Sequence, residues 1–208
     1  MSNYRRITEL PQENKQYLSS GLWASSCQEM FSPMYMILSI PWNEFNINTS
    51  QCTDMNRMFN SCGDLTSLDL STMNTSKVTN MSSMFSSCHD LTSLNLSNFD
   101  TRQLQNASNM FNYCEKLTTI NLSGWDTSNI VNFGSMFYYC LSLQEIICPD
   151  GFDMSSCHRT YGISNMFQGC NPSYNGEPLH FKNVPQNVTV TDSKGIEGVH
   201  YVIDSYKN

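Results

Sequence analysis

The string Met-Phe-x-x-Cys occurs five times, at Met58–Cys62, Met84–Cys88, Met110–Cys114, Met136–Cys140 and Met166–Cys170, with intervals of 26, 26, 26 and 30 residues. A fixed period of this length means one supersecondary unit repeated and stacked, and it constrains the fold more than any other feature. Two further strings recur in the same phase. One reads Leu65-Thr66-Ser67-Leu68-Asp69-Leu70, Leu91-Thr92-Ser93-Leu94-Asn95-Leu96 and Leu117-Thr118-Thr119-Ile120-Asn121-Leu122, with Leu143, Ile146 and Cys148 in the apolar slots of a looser fourth copy. The other reads Asn74-Thr75-Ser76, Asp100-Thr101-Arg102 and Asp126-Thr127-Ser128. Met30-Phe31 and Thr49-Ser50-Gln51-Cys52 mark a degenerate earlier copy. The longer last interval places an inserted loop around Cys157 to Gly162.

Each unit changes hydrophobic period once. Leu68 and Leu70 alternate with polar neighbours, as a strand requires. Val78, Met81, Met84, Phe85 and Cys88 then fall at spacings of three and four, which predicts a short helix or 3₁₀ segment. Asn74, Asp100 and Asp126 stand where its N-caps would be needed. One such unit buries too little surface to offset the ordering of its own backbone, so neighbouring units have to cover it. The expected fold is an α/β solenoid: a right-handed coil of five to six 26-residue repeats, with a parallel sheet on one face and short helices on the other. Residues 1–29 are expected to cap the N-terminal end and residues 30–170 to form the solenoid. Residues 171–208 would form a C-terminal β cap, a hairpin of 187–191 and 199–203 around the Gly-containing stretch Asp192 to Gly198.

The motif Met-Phe-x-x-Cys-x-x-Leu-Thr-Ser-Leu-x-Leu-Ser, followed by Asp-Thr-Ser and a further Met-x-x-Met-Phe, resembles the BspA-like leucine-rich-repeat family, relatives of the treponemal class of these repeats. The resemblance covers about residues 30–170 and is most faithful over 52–148. It implies a curved leucine-rich-repeat solenoid and a non-enzymatic role in adhesion or in binding other proteins, in the manner of bacterial surface proteins.

Composition narrows the function further. Only 11 Lys and Arg stand against 18 Asp and Glu, a net charge of −7, and no window concentrates the basic residues that phosphate neutralisation requires. Nucleic acid is therefore not an expected partner. The most apolar stretch, Met34 to Ile40, is far below the roughly 20 residues that span a bilayer, so membrane insertion is not expected. The first residues carry no apolar leader, and neither a lipobox cysteine nor a C-terminal wall anchor is visible. The location stays open between the cell surface that the resemblance implies and a virion, with no secretion signal visible. Charged residues are scarce at 14%, and 23 Asn and 29 Ser supply the surface instead.

Cys62, Cys88, Cys114, Cys140 and Cys170 share one repeat position and should form a buried ladder of free thiols. Their side chains would point in parallel, which suits a disulfide badly. Their spacing is not that of a zinc site, and no cofactor or metal is expected. Cys157, on the inserted loop, is the thiol expected to be exposed. The methionines beside Phe59, Phe85, Phe111, Phe137 and Phe167 read as core filling rather than metal ligands. Asn80, Asn106 and Asn132 recur at one turn and are expected to bond backbone groups of the next coil, a structural ladder. No catalytic residues are expected, since no nucleophile elbow, Walker loop or metalloprotease motif is present.

The outward strand positions are the candidate binding residues: Thr66, Ser67 and Asp69; Thr92, Ser93 and Asn95; Thr118, Thr119 and Asn121; then Ser142, Gln144 and Glu145. Together they would make a neutral to acidic face of hydroxyls and amides, able to hydrogen-bond a protein or glycan. The first function expected is an interaction or adhesion protein using that face. The second is a structural component of a phage particle (decoration, tail or fibre protein) using the repeat to assemble with neighbouring subunits or attach to a host.

Overall fold

The computed structural model describes residues 26–40, 42, 47–148 and 165–170, and the backbone of strands 179–182 and 201–203. Seven short strands appear in chain order: β1 Ser39–Ile40, β2 Ser67–Leu68, β3 Ser93–Asn95, β4 Thr119–Asn121, β5 Glu145–Ile147, β6 Leu179–Lys182 and β7 Tyr201–Ile203. β1 pairs with β2, and β3 to β7 form a five-stranded sheet in sequence order, every pair parallel. Equivalent residues of successive repeats are partners: Ser93 faces Thr119, which faces Glu145. Leu94, Ile120 and Ile146 of these strands point inward and are buried.

The segment expected to be helical is built otherwise. From Met81 to Cys88 the chain makes two four-residue turns, in which Met84 N–H donates to Met81 C=O at 3.2 Å and Cys88 N–H to Phe85 C=O at 3.2 Å. The third residue of each turn, Ser83 and Ser87, is left-handed, with φ of 56° and 60°. The same pair of positions is left-handed in the following repeats, at Asn109 and Tyr113, Ser135 and Tyr139, Asn165 and Gly169. A left-handed non-glycine residue costs about 1–2 kcal/mol, and the arrangement repays that cost between layers. Alternate N–H groups turn outward from their own repeat and donate to the next one: Met81 to Asn106, Ser83 to Ser108, Phe85 to Met110 and Ser87 to Asn112, at 2.7 to 2.9 Å. A helix would hold those N–H groups inside one segment and leave the stack without this second ladder. Two turns place inward residues at spacings of three and four, as a helix does, so the apolar pattern fits both.

Layers are therefore zipped along two walls, by the strands and by the turns. Between the walls lie stacked side chains. Phe31, Phe59, Phe85, Phe111, Phe137 and Phe167 form one column, with ring centroids 5.3 to 5.6 Å apart and planes within 10° of parallel. Trp42 packs edge-to-face beside the first two rings, Phe31 and Phe59, with centroids 6.2 Å from each. Beside it runs the cysteine column. Each thiol donates to a Phe carbonyl of the preceding layer: Cys62 to Phe31, Cys88 to Phe59, Cys114 to Phe85, Cys140 to Phe111 and Cys170 to Phe137, at 3.0 to 3.4 Å. Phe59, Phe85, Phe111 and Phe137 carbonyls also accept the N–H of their own layer's cysteine. A sulfur is long enough to reach across the layer gap and weak enough as a donor to share that oxygen. Burial pushes the Cys62, Cys114, Cys148 and Cys170 thiols up to about 12, and Cys88 and Cys140 well above their ordinary value.

Corners of the layers use Asn and Asp. An Asx side chain accepts the N–H two residues on at three places per repeat. Asn74, Asp100 and Asp126 bond Ser76, Arg102 and Ser128, where helix N-caps were expected. Asn80, Asn106 and Asn132 bond Ser82, Ser108 and Gly134. Asp69, Asn95 and Asn121 bond Ser71, Ser97 and Ser123. In the Asn80 column, then, the carbonyl oxygens close turns within their own repeat, the backbones bridge in parallel between layers, and Asn80 Nδ2 also donates to Asp54 Oδ1 of the preceding layer at 3.2 Å. A column of buried threonines adds further ties: Thr49, Thr75 and Thr101 each donate a hydroxyl to the carbonyl of Asn74, Asp100 and Asp126 in the next layer.

The pattern begins by Ser26, whose backbone bridges Asp54, and Cys27, Glu29 and Phe31 donate to the next layer, so residues 26–29 belong to the repeats rather than to a separate cap. At the other end, one arm of the expected hairpin, 187–191, lies outside the described residues. Tyr201–Ile203, in the other arm, pairs in parallel with Leu179–Lys182 and so extends the five-stranded sheet in the same sense as the strands before it.

Two outcomes follow from the columns. Phe111→Ala should destabilise the protein by about 3–5 kcal/mol, because the ring is fully buried and its neighbours are held at fixed layer spacing; urea denaturation measures this. A thiol reagent added to the native protein should leave the eight described cysteines unlabelled and modify at most Cys157, with all nine reacting once the chain is unfolded.

Candidate binding face

The expected binding residues divide by what their side chains already do. Asp69, Asn95 and Asn121 close corner turns through Oδ1, at 2.9, 3.1 and 3.0 Å. Thr66 and Thr118 lie along a strand edge and donate their hydroxyls to Leu38 and Thr92 carbonyls of the preceding layer, at 3.2 and 3.0 Å. Thr92 and Gln144 occupy the same column as Thr118 and are exposed. Ser142 is out of phase with the strands. Its N–H donates to Glu115 C=O, the bond that Lys116 makes to His89 and Asp90 to Gly63, so it belongs to the turn before the strand.

The column Ser67, Ser93, Thr119 and Glu145 remains as the outward strand surface. Ser67 and Ser93 are exposed, and Thr119 and Glu145 half-buried. Backbone pairing fixes the latter three at strand spacing, about 4.8 Å per step. The face can therefore present a row of hydroxyls, Ser67, Ser93 and Thr119, to an extended polar ligand.

Two neighbouring features escaped the sequence reading. The turn before the strands carries a cross-layer ion pair, Lys116 to Asp90 at 2.9 Å, and a cross-layer contact of His89 Nδ1 with Glu115 at 3.3 Å. The signal available was complementary polar residues at a 26-residue offset, which becomes adjacency once layers stack. Such exposed contacts add little to stability and chiefly set the polar character of the rim. The second feature is a shallow open groove of about 490 Å³ at the first Asx corner, lined by Ser97, Asn98, Asp100, Arg102, Gly124 and Asp126. A Cβ on Gly124 would lie 1.8 Å from Ser97 O, so glycine permits the close approach of the two layers there. Arg102 forks onto Asp100 through Nε and an Nη, at 3.0 and 2.6 Å. That hydrogen bonding holds the Asp100 carboxyl below the ordinary carboxylate range, while the Ser128 hydroxyl and N–H do the same for Asp126.

Among the described residues no group of three His, Cys, Asp or Glu is arranged to hold a metal ion, and no helix is long and apolar enough to cross a membrane. The architecture is that of a sheet-rich repeat protein with parallel strands, whose surface columns are set by the repeat. The chain belongs to the family described as Mycoplasma protein of unknown function, DUF285, whose model matches residues 25–149 and again 53–181. The second match is displaced by about one repeat, as equivalent stacked units allow. No curated protein and no solved structure matches the chain.

Asn95→Ala should cost about 1 kcal/mol, the loss of one local side-chain cap, while Ser93→Ala should stay within about 0.5 kcal/mol; comparing urea midpoints separates the corner from the face. The acid limb gives another outcome. Asp100 and Asp126 have lower pKa values folded than unfolded, so their contribution is present above about pH 4 and is lost as pH falls through the folded values. Asp100→Asn with Asp126→Asn keeps the turn acceptors and should flatten the fall in stability between pH 7 and pH 3.

Proposed function

We propose that this protein is a non-enzymatic interaction protein of the adhesion type, binding a protein or glycan partner through its sheet face. On this reading the layers wind as a right-handed leucine-rich-repeat solenoid, and the chain acts at a cell surface in the manner of BspA-like proteins. The observation that carries the proposal is the outward column Ser67, Ser93, Thr119 and Glu145. Its backbone is held in register by parallel pairing over the last three, and Asn95, Thr118 and Asn121 in the flanking columns spend side-chain polar groups on the fold. A rigid row of hydroxyls at constant spacing loses little conformational entropy on binding, the property that repeat proteins use for extended partners. The family match is compatible with a surface protein.

Ser93→Arg combined with Thr119→Arg places bulk and charge on the face without touching a corner turn or the core. Immobilised protein exposed to a cell-envelope extract, with bound material identified by mass spectrometry and its affinity then measured, should lose at least about tenfold with the double variant while its thermal unfolding is unchanged. Undiminished affinity for every partner recovered would remove the sheet face as the binding surface.

A further inference from the structure

The turn wall carries a second surface of different chemistry. Tyr113, Tyr138 and Tyr139 gather there from two successive layers, with ring centroids 5.7 Å (Tyr113 to Tyr138), 5.1 Å (Tyr113 to Tyr139) and 4.7 Å (Tyr138 to Tyr139) apart. Tyr113 and Tyr139 stack at 26° and remain 37% and 38% exposed. Both occupy the second left-handed position of their repeat, with φ of 58° and 57°. The preceding layers put Ser61 and Ser87 at that position, and the following one puts Gly169. A bulky aromatic is a poor residue for left-handed backbone, and hydrophobic burial does not explain two of them that stay exposed. The next layer also yields to them: a Cβ on Gly169 would sit 2.8 Å from the Tyr139 ring. The aromatic pair thus stands where the fold would be served better by small polar residues.

We infer that Tyr113, Tyr138 and Tyr139 form a stacking platform for a sugar ring of a neutral glycan. The geometry selects this occupant. An aromatic cage for a quaternary ammonium needs rings spread around a gap, and these three rest against one another with no room between their centroids for a cation. The exposed aromatic area is roughly 200 Å², taking 150–250 Å² for a whole aromatic side chain, whereas a stable protein interface takes about 800 Å² from each partner. That area suits one or two pyranose rings. The apolar C–H face of a sugar would lie on the rings, with the phenols themselves as neutral hydrogen-bonding groups; the segment that carries Tyr113 also holds the Asn109–Asn112 amide pair at 3.1 Å. Tyrosine phenols are protonated at neutral pH and can donate to a sugar oxygen; desolvation, then the neighbouring phenols, raises the Tyr138 pKa further. The platform is distinct from the sheet column and goes beyond the sheet-face reading.

Saturation-transfer NMR on the full chain tests this, with cellohexaose, chitohexaose, mannohexaose and β-1,4-galactohexaose as probes. At least one should show transfer from protein aromatic protons to its ring C–H face. Tyr113→Ser with Tyr139→Ser installs the residue that preceding repeats carry and should abolish that transfer, or weaken affinity at least about tenfold, with an unfolding temperature equal to or above that of the parent. Should the Ser pair fail to fold, Tyr113→Asn with Tyr139→Asn replaces it, since Asn tolerates left-handed backbone. Ser93→Arg with Thr119→Arg should leave the transfer intact, so failure of the platform and failure of the sheet face are told apart. No transfer to any of the four probes at 5 mM overturns the inference, as does transfer that survives both tyrosine variants. Self-association that is lost in the variants would reassign the platform to a protein contact and overturn it equally.

Discussion

The structure depends on a single constraint: every layer must satisfy its backbone through its neighbours. Strands alone would do this on one wall and leave the rest of the loop with orphaned N–H groups over a buried core. The turn wall solves the problem by alternating direction. One N–H closes a turn within the layer, and the next donates to the layer above. This alternation requires left-handed residues at fixed places, which sets the phase of the outward polar positions, the inward Met, Phe and Cys, and the corner Asx residues. The columns of stacked rings and thiols are consequences of that phase. Identical side chains meet because identical backbones do.

The cysteine column shows how tightly this is drawn. The Phe carbonyl that opens the second turn already accepts an N–H from its own layer, and the residue able to reach its second lone pair from the layer after must be small, inward and a weak donor. Serine would reach less far and bury a harder oxygen, and valine would have nothing to offer the carbonyl. Cysteine fits as a donor rather than as a redox or metal-binding group.

Much of this was legible in the amino-acid order. The period located the layers between Met30 and Cys170 but not the strands 179–182 and 201–203 that extend the sheet, and the apolar slots named the core: Leu94, Ile120 and Ile146 on the strands, and the Met, Phe and Cys of the motif, all lie inside. The turn wall was not legible as such. Met81, Met84, Phe85 and Cys88 have helical spacing, and only the left-handed residues between them distinguish two turns from a helix. Ser83 and Ser87 carry no signature of that conformation, although Asn109, Asn165 and Gly169 at equivalent positions hint at it. The binding face was legible only in part for a related reason. Asp69, Asn95 and Asn121 look like displayed amides and carboxylates, yet their oxygens close corners. Tyr113, Tyr138 and Tyr139 are ordinary residues in a linear reading, and stacking is what gathers them.

The corner turns carry a consequence for how such a chain can vary. Only the carbonyl-type oxygen of the Asx side chain is used in closing the turn, and Asn and Asp both supply it. Asp54, Asp69, Asp100 and Asp126 already share columns with Asn80, Asn95, Asn74 and their equivalents. Exchanging one for the other keeps the turn acceptor and changes the charge by one unit each time, although at Asn80, whose Nδ2 donates to Asp54 Oδ1 of the neighbouring layer at 3.2 Å, it also removes a cross-layer bond. The surface potential of the stack is thereby decoupled from its fold, and a lineage of such proteins can move from neutral to strongly acidic, one corner at a time, while every layer keeps the same backbone.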